Sequence, residues 1–307
     1  MKELKLLDNT SIKVLSKLQK AFPNSKSVVR GGYLRDLFIG RKPDDIDVLT
    51  DIGYKDLQKV FKGLNWSDGG LKLGITWTKF QNKDVQFSTV PTDDFEEELT
   101  NVDLTMNSMY LDGKKIHDPL NGFDDIKNNI IRPAGDFLEH STNSPQSIPR
   151  VFRFASELGF DLDEELINYL IDARETIKDN DSNRLIIEAY NIARGEYIFK
   201  AFNFLIRTGI INGVENKELD RLPLINDSII QRLTMVHYYY GKKTLVSFIE
   251  IFGLNEDVVR RSTELKKLML SEYVDRESGN FPLALLLKRY LFNDDKRKVI
   301  EFMQKNK

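Results

Sequence analysis

Residues 26–51 read KSVVRGGYLRDLFIGRKPDDIDVLTD, and the reading of this stretch decides the fold. Ser27 to Arg30 predicts a short strand that stops at Gly31-Gly32. Tyr33 to Ile39 then has the spacing of a short helix, ended by Gly40. Paired glycines between a strand and a helix let the backbone approach a ligand closely, and the helix N-terminus behind them favours an anion. A second strand follows, with Asp45 and Asp47 on either side of Ile46. Side chains alternate along a strand, so both carboxylates project from one face while Ile46 turns to the core. Two adjacent carboxylates repel each other unless a cation sits between them. Hard oxygen donors suit Mg²⁺, which takes one or two carboxylates plus substrate phosphates. Asp45 and Asp47 are therefore the candidate catalytic and metal-ligating pair, and Gly31 and Gly32 the candidate triphosphate cradle. Arg35, or Arg30, is placed to neutralise phosphate charge, and Asp36 to brace the loop. A phosphate cradle beside a metal pair is the equipment of phosphoryl or nucleotidyl transfer. Alone, a Gly-Gly is usually a turn and a D-x-D often a solvated edge. Joined through Arg35-Asp36 in one strand–helix–strand passage, they are far more specific.

Composition bounds the rest. A chain of 307 residues can form one large domain or two to three small ones, and buries a core easily. A hydrophobic fraction of 41% with mixed charges describes an ordered globular protein. The formal net charge of −2 exerts no global pull on nucleic acid, so any RNA contact must come from a local basic surface. Cysteine is absent, which excludes disulfides, zinc–thiolate sites and cysteine nucleophiles. The three histidines, His117, His140 and His237, are too scattered in sequence to suggest a histidine-built metal site. The N-terminal stretch reads as a charged amphipathic helix and not as a signal peptide. No apolar run approaches the roughly 20 residues needed to span a bilayer. A cytoplasmic location and no membrane partner are expected.

Outward from the central stretch, residues 10–22 predict a helix with Ile12, Leu15, Leu18 and Phe22 on one side and Thr10 or Ser11 as N-cap. Tyr54 to Leu64 predicts another, carrying Leu57, Val60, Phe61 and Leu64. Ile75 to Phe80 and Asp84 to Val90 read as strands of a hairpin turning at Gln81-Asn82-Lys83. Asp112-Gly113 reads as a second hairpin turn, and Asp118-Pro119 as the start of a loop. From Gln146 onward the pattern is helical almost without interruption. QSIPRVFRFASELGF, residues 146–160, has apolar residues at helical spacing and a C-cap at Gly159, with Pro149 expected to disturb its start. From Tyr197 to Lys307 six or seven helices are expected, with stripes such as Phe199, Phe202, Leu205, Ile206 and Leu283, Leu286, Leu287. Arg260-Arg261, Lys266-Lys267, Lys288-Arg289 and Lys296 to Lys298 form short basic clusters among acids, a pattern that usually marks solvated faces.

GGYLRDLFIGRKPDDIDVLT resembles the head-domain signature of the class II tRNA nucleotidyltransferases and bacterial poly(A) polymerases, GG-x-x-RD followed by G-x-x-x-x-D-x-D. NVDLTMNSMYLDGKKIHDPLNGFDDIKNNIIRP extends the resemblance to the family's RRDFTxNAxA and DPxxGxxDLxxxxIR, through Asp103, Thr105, Asn107, Asp118, Pro119, Gly122, Asp125, Ile131 and Arg132. The likeness covers residues 27–195 and is strongest over 30–51 and 103–132. It implies an α/β head, a mixed sheet with helices of the nucleotidyltransferase type, over residues 1–140. It further implies an all-α neck over 141–195 that binds nucleobase or RNA, and a helical body over 196–307, a possible tRNA-binding part. The chain is short for the family, with little room for a full tail domain.

The resemblance implies Mg²⁺ as cofactor, CTP and ATP as nucleotides, and a tRNA or other RNA 3′ end as acceptor. It also carries residue roles. The family's RRD element contacts the nucleotide sugar; here Asp103 keeps the acceptor, beside Asn107, while Asn101 and Val102 replace both arginines. A helix N-cap is the competing role for Asp103. Many relatives place a third acid on the second hairpin strand, where this chain has Gln86, with Asp84 one pair away. Arg150 and Arg153 match arginines of the neck helix and are candidate nucleotide contacts, or else bridges to acids such as Asp118 or Glu157. The preceding base-reading E-D-x-x-R is replaced at Asn143, Ser144 and Ser147, which leaves nucleotide selection open. The literal E-D-x-x-R at Glu256, Asp257 and Arg260 reads as a solvated helix start. Arg184 and Glu188 read as an i,i+4 salt bridge. The expected activity is template-independent addition of CCA, or part of it, to a tRNA 3′ end. A poly(A) polymerase, a single-nucleotide-adding enzyme and a relative that binds without turnover are the alternatives.

Overall fold

In the computed structural model the described residues are 9–67, 70, 74–216 and 228–271. The chain forms two compact units, Met1–His140 and Ser141–Lys307.

The first unit opens with α1 (Asn9–Ala21), whose buried side is Ser11, Val14, Leu15 and Leu18. Ile12, expected inside, is 38% exposed. The stripe is rotated because Ser11 goes inward to hydrogen-bond the Tyr33 hydroxyl at 2.9 Å, tying this helix to the next. Strand β1 (Ser27–Arg30) leads into α2 (Gly32–Phe38), and β2 (Asp45–Thr50) follows. Helix α3 (Tyr54–Val60) ends earlier than its apolar pattern suggests, and Phe61 is its C-cap, buried at 3% exposure. Strands β3 (Trp66–Ser67), β4 (Ile75–Phe80) and β5 (Lys83–Thr89) come next. The β4–β5 turn is made by Gln81 and Asn82, both at positive φ (52° and 62°), the backbone that a two-residue hairpin requires. After α4 (Phe95–Thr100) and a 3₁₀ turn at Thr105–Asn107, β6 (Tyr110–Leu111) and β7 (Ile116–His117) form the second expected hairpin. Helix α5 (Gly122–Asn128) and the short β8 (Ile130–Ile131) complete the described part of the head.

Seven of these strands make one mixed sheet in the order β3-β4-β5-β2-β1-β6-β7. Only β2 and β5 run parallel; every other pair is antiparallel. The parallel pair is the centre of the sheet, and its inward residues Ile46, Val48, Val85 and Phe87 are buried to 1% exposure or less. Phe61, Trp66 and Phe87 close over them as an aromatic cluster, with ring centroids 5.6–6.4 Å apart.

Helix α6 (Phe137–Asn143) forms where the sequence suggested only a boundary. Asp136 starts it by accepting the amides of Leu138 (2.9 Å) and Glu139 (3.1 Å). The second unit continues with α7 (Ser147–Leu158), β9 (Asp161–Leu162), α8 (Glu164–Asp172), a 3₁₀ turn at Arg174–Asp179 and α9 (Ser182–Arg194). Helices α10 (Ile198–Arg207), α11 (Ile229–Tyr240), α12 (Lys242–Phe252) and α13 (Asp257–Leu270) follow. Pro149 does not disturb α7. It lies in the first turn, where backbone N–H groups have no intrahelical partner to lose, and its ring is buried. Gly159 caps the helix at φ 71° as expected. Helices α7 and α9 touch closely enough for the Ser156 hydroxyl to donate to the Ile192 carbonyl at 2.6 Å. The stripe at Leu283 and the basic clusters at Lys288 and Lys296 lie outside the described residues. Among the described residues no helix is long and apolar enough to cross a membrane.

Candidate active site

The glycine turn and the carboxylate strand are neighbours because β1 and β2 pair antiparallel with Arg30 opposite Asp47. Gly31 stands at φ 72°, a region costly for a residue with a Cβ, and its amide donates to the Met109 carbonyl at 3.1 Å. A Cβ on Gly31 would lie 3.8 Å from Asp47 Oδ2, so the glycine turn runs beside this carboxylate. Asp45 is exposed, Ile46 is fully buried and Asp47 is half-buried, as the alternation requires. Although the residue is exposed, partial desolvation of its carboxyl raises Asp45 above the ordinary value, and the charges of Asp36 and Asp44 push the same way. This crowding of negative oxygens fits a divalent cation. Register settles what stands beside the pair: Gln86 is opposite Asp47, and Asp84 is opposite Asp45. Gln86 accepts from the Trp77 indole N–H at 2.7 Å. Asp84 is a solvated strand end, 3.4 Å from Lys79.

The two arginines of the central stretch differ in their surroundings. Arg30 donates to the Glu98 backbone carbonyl (2.7 Å) and carboxylate (3.0 Å), an arrangement that commits it to α4. Arg35 lies along the start of α2, and a Cβ on Gly32 would come within 3.2 Å of its guanidinium. It donates to Asp36 at 3.0 Å and to Asn107 Oδ1 at 2.8 Å. Asn107 in turn donates through Nδ2 to Asp103 Oδ1 at 2.8 Å. Only one amide orientation serves both neighbours, because a guanidinium offers donors and a carboxylate offers acceptors. Asp103, 4% exposed, also accepts the Leu104 amide at 2.9 Å. Asp103, Asn107, Arg35 and Asp36 thus form one chain of charge-assisted hydrogen bonds ending at the glycine turn.

The other motif residues around it are architectural. Asp118 accepts the amides of Gly122 (2.7 Å) and Phe123 (2.9 Å) at the start of α5. Asp125 accepts from the Thr105 hydroxyl (2.7 Å) and from Arg132 (3.1 Å). Gly122 is obligatory, since a Cβ there would sit 2.2 Å from the Thr105 carbonyl oxygen. These contacts fix the 3₁₀ turn that carries Asn107. A residue that sequence reasoning missed is Lys83, whose ammonium hydrogen-bonds the Pro43 carbonyl and fastens the approach to Asp45. The two are 40 residues apart and no local pattern links them.

In the second unit Arg153 meets Glu157 at 3.3 Å and Glu188 at 2.9 Å. The latter is an ion pair without an aligned hydrogen bond, because neither Arg153 Nε nor Glu188 Oε2 has a hydrogen-bond partner. Glu188 is held above the ordinary carboxylate range by burial, against the pull of Arg153 and Arg150. The expected Arg184–Glu188 bridge does not form: α7 packs on the inward side of α9, and Glu188 turns to Arg153 there. At the replaced base-reading positions, Ser147 Oγ donates to the Ser144 carbonyl at 2.8 Å, inside the α6–α7 turn. Arg260 pairs locally with Asp257 (2.6 Å) and Glu264 (2.9 Å) on the exposed face of α13, as a solvated helix start should.

Residues 69–132 match the model of the poly(A) polymerase head domain. The chain is 26% identical over 277 residues to the CCA-adding enzyme of Bacillus pumilus, covering 80% of this chain and 67% of that protein. It is 24% identical over 208 residues to the CC-adding tRNA nucleotidyltransferase of Shouchella clausii, covering 64% and 54%. Against the CCA-adding enzyme of Streptococcus gordonii the identity is 24%, covering 70% and 57%. The chain therefore spans between half and two thirds of the length of these relatives. In three dimensions it is similar to the Bacillus stearothermophilus CCA-adding enzyme in complex with CTP, with a TM-score of 0.73 at 18% identity, covering 96% of this chain and 81% of that one. A tRNA nucleotidyltransferase complexed with a primer tRNA and an ATP analogue gives a TM-score of 0.66 at 19% identity, covering 95% and 98%. These structural likenesses concern the fold.

Proposed function

We propose that this chain belongs with the class II tRNA nucleotidyltransferases and bacterial poly(A) polymerases that it resembles, and is a template-independent enzyme that adds nucleotides from CTP or ATP to a tRNA 3′ end. The observation that supports the reading is the pairing of Arg30 with Asp47, which sets the Gly31 turn beside Asp47 on the strand that presents Asp45 and Asp47 on one face. Asp45 and Asp47 would hold Mg²⁺. A bound Mg²⁺ lowers the pKa of an attacking hydroxyl and offsets charge on the reacting phosphate.

The chain's own residues do the rest. Gly31 and Gly32 leave the backbone of the turn open to the triphosphate, and Arg35, oriented by Asp36 and Asn107, faces its charge. Asp103 holds Asn107 and reaches the nucleotide through it. In the second unit Arg150 is the proposed nucleotide contact, and Arg153 braces α7 against α9 through Glu188. The buried Ser147 hydroxyl, spent on Ser144, favours a second reading in which base selection is weak or unusual, since no charged group stands at 143–147 to read the base. The test is incubation of the full chain with Mg²⁺, each labelled nucleoside triphosphate in turn and a tRNA lacking its 3′ terminus. Addition of C, A or both is expected. RNA binding without addition of any nucleotide would overturn the enzymatic reading in favour of a binding relative.

A further inference from the structure

We propose that the outward face of α9 is a docking surface for an RNA strand. It rests on the proposed function only for the identity of that RNA. The face carries Arg184, Ile187, Tyr190 and Arg194, spaced at three- and four-residue steps so that all four project the same way. All are exposed; Ile187 is 57% and Tyr190 39% accessible. An aliphatic and an aromatic side chain this open, one turn apart and bracketed by two arginines, are not what a merely solvated helix face presents.

The electrostatics point to the partner. The natural counter-ion of Arg184 is Glu188, four residues on, but the Glu188 side chain is only 15% exposed, at the border of the buried face, and is engaged there by Arg153. Asp181, at the N-cap, spends its Oδ1 on the amides of Asn183 (3.0 Å) and Arg184 (3.2 Å). No carboxylate of α9 remains on the outward face, and among the described residues neither Arg184 nor Arg194 has a side-chain ion pair. A surface of two uncompensated guanidiniums around an open phenol and an aliphatic side chain suits a ligand with regularly spaced anionic charge and flat apolar rings. Phosphates pair with the arginines and a base stacks on Tyr190. A second copy of this chain would bring four arginines together on a two-fold axis, which disfavours self-association.

The experiment uses the full chain and a tRNA transcript lacking its 3′-terminal nucleotides. Binding is measured by filter retention across a salt series, the KM for RNA and for nucleotide by incorporation, and the mass by light scattering. The double variant Arg184→Glu/Arg194→Glu is expected to weaken RNA binding by roughly tenfold or more and to reduce the log–log salt slope by about one to two. Tyr190→Ala should weaken binding with the slope unchanged, and Arg184→Lys/Arg194→Lys should retain most of it. The KM for nucleotide should hold in every variant. An unchanged RNA affinity and slope in the charge-reversed variant would overturn the proposal, as would a change in oligomeric mass without a change in RNA affinity. If the wild type binds RNA through this face yet adds no nucleotide, the enzymatic reading falls and the surface stands.

Discussion

Asp45 and Asp47 are the residues whose removal separates chemistry from folding most cleanly. Asp45 is exposed and Asp47 half-buried at the edge of the glycine turn, so neither supports the core. Replacing either by Ala should lower nucleotide incorporation on the order of 100-fold or more with little change in the thermal melt. Retained incorporation in both variants would remove the pair from the mechanism. Asn107 acts one step back. Asn107→Ala leaves Arg35 with Asp36 and takes a donor from Asp103, at a cost of about 1–1.5 kcal/mol in guanidinium orientation. The nucleotide KM should rise several-fold and kcat less, a split that a purely structural defect would not produce. Arg153→Ala should act oppositely, with stability falling by about 1–3 kcal/mol, read as a lower melt, and KM holding. Its pH dependence has a definite sign. Burial raises folded Glu188 above its unfolded value of 4.5, so the fold favours the protonated acid and the penalty appears as pH rises. Removing Arg153 raises that carboxyl further. The stability gap between variant and wild type should therefore be widest near neutral pH and close as pH falls to about the unfolded value. Melts across pH check this.

At the scale of elements, the α7–α9 contact holds the described core of the second unit. Ser156 reaches the Ile192 carbonyl, the Tyr197 amide donates to the Ser156 carbonyl at 2.8 Å, and Gly195 leaves room for both. A Cβ on Gly195 would stand 2.0 Å from Ser156 Oγ and 2.5 Å from its backbone, atoms that cannot swing away. Gly195→Ala should cost about 1–3 kcal/mol or more as overpacking, read as a lowered denaturation midpoint. A midpoint equal to wild type would show that these two helices separate easily. In the head, the parallel β2–β5 pair does the corresponding work, since its register places the Asp45–Asp47 face beside an amide and not beside a third buried acid.

At the scale of the whole molecule, a net charge of −2 over 307 residues leaves affinity for a polyanion to local surfaces, and hence to salt. The sheet and the helices are held by apolar cores and by backbone ladders, which run through β2 but do not use the carboxylates of Asp45 and Asp47. Removing divalent ions with a chelator should accordingly stop incorporation and leave the melt of the nucleotide-free protein in place, with Mg²⁺ restoring activity. A melt that collapsed on chelation would mean that the cation holds the fold together as well.

What the amino-acid order determined by itself was whatever depends on backbone periodicity and on residues near one another. The β1–α2–β2 passage, the shared face of Asp45 and Asp47, the existence of the β4–β5 hairpin and the αL cap at Gly159 all follow from alternation, helical spacing and the freedom of glycine. Tertiary packing decided which partners distant in sequence meet. Arg30 went to Glu98 and Lys83 to Pro43, partners 68 and 40 residues away. Ser11 turned inward and Ile12 outward because Tyr33 offered a hydroxyl. Glu188 left Arg184 for Arg153 because burial made a buried counter-charge worth more than an exposed one four residues along its own helix. Local geometry sets where a side chain can point, and desolvation in the assembled core sets which of the reachable partners it takes.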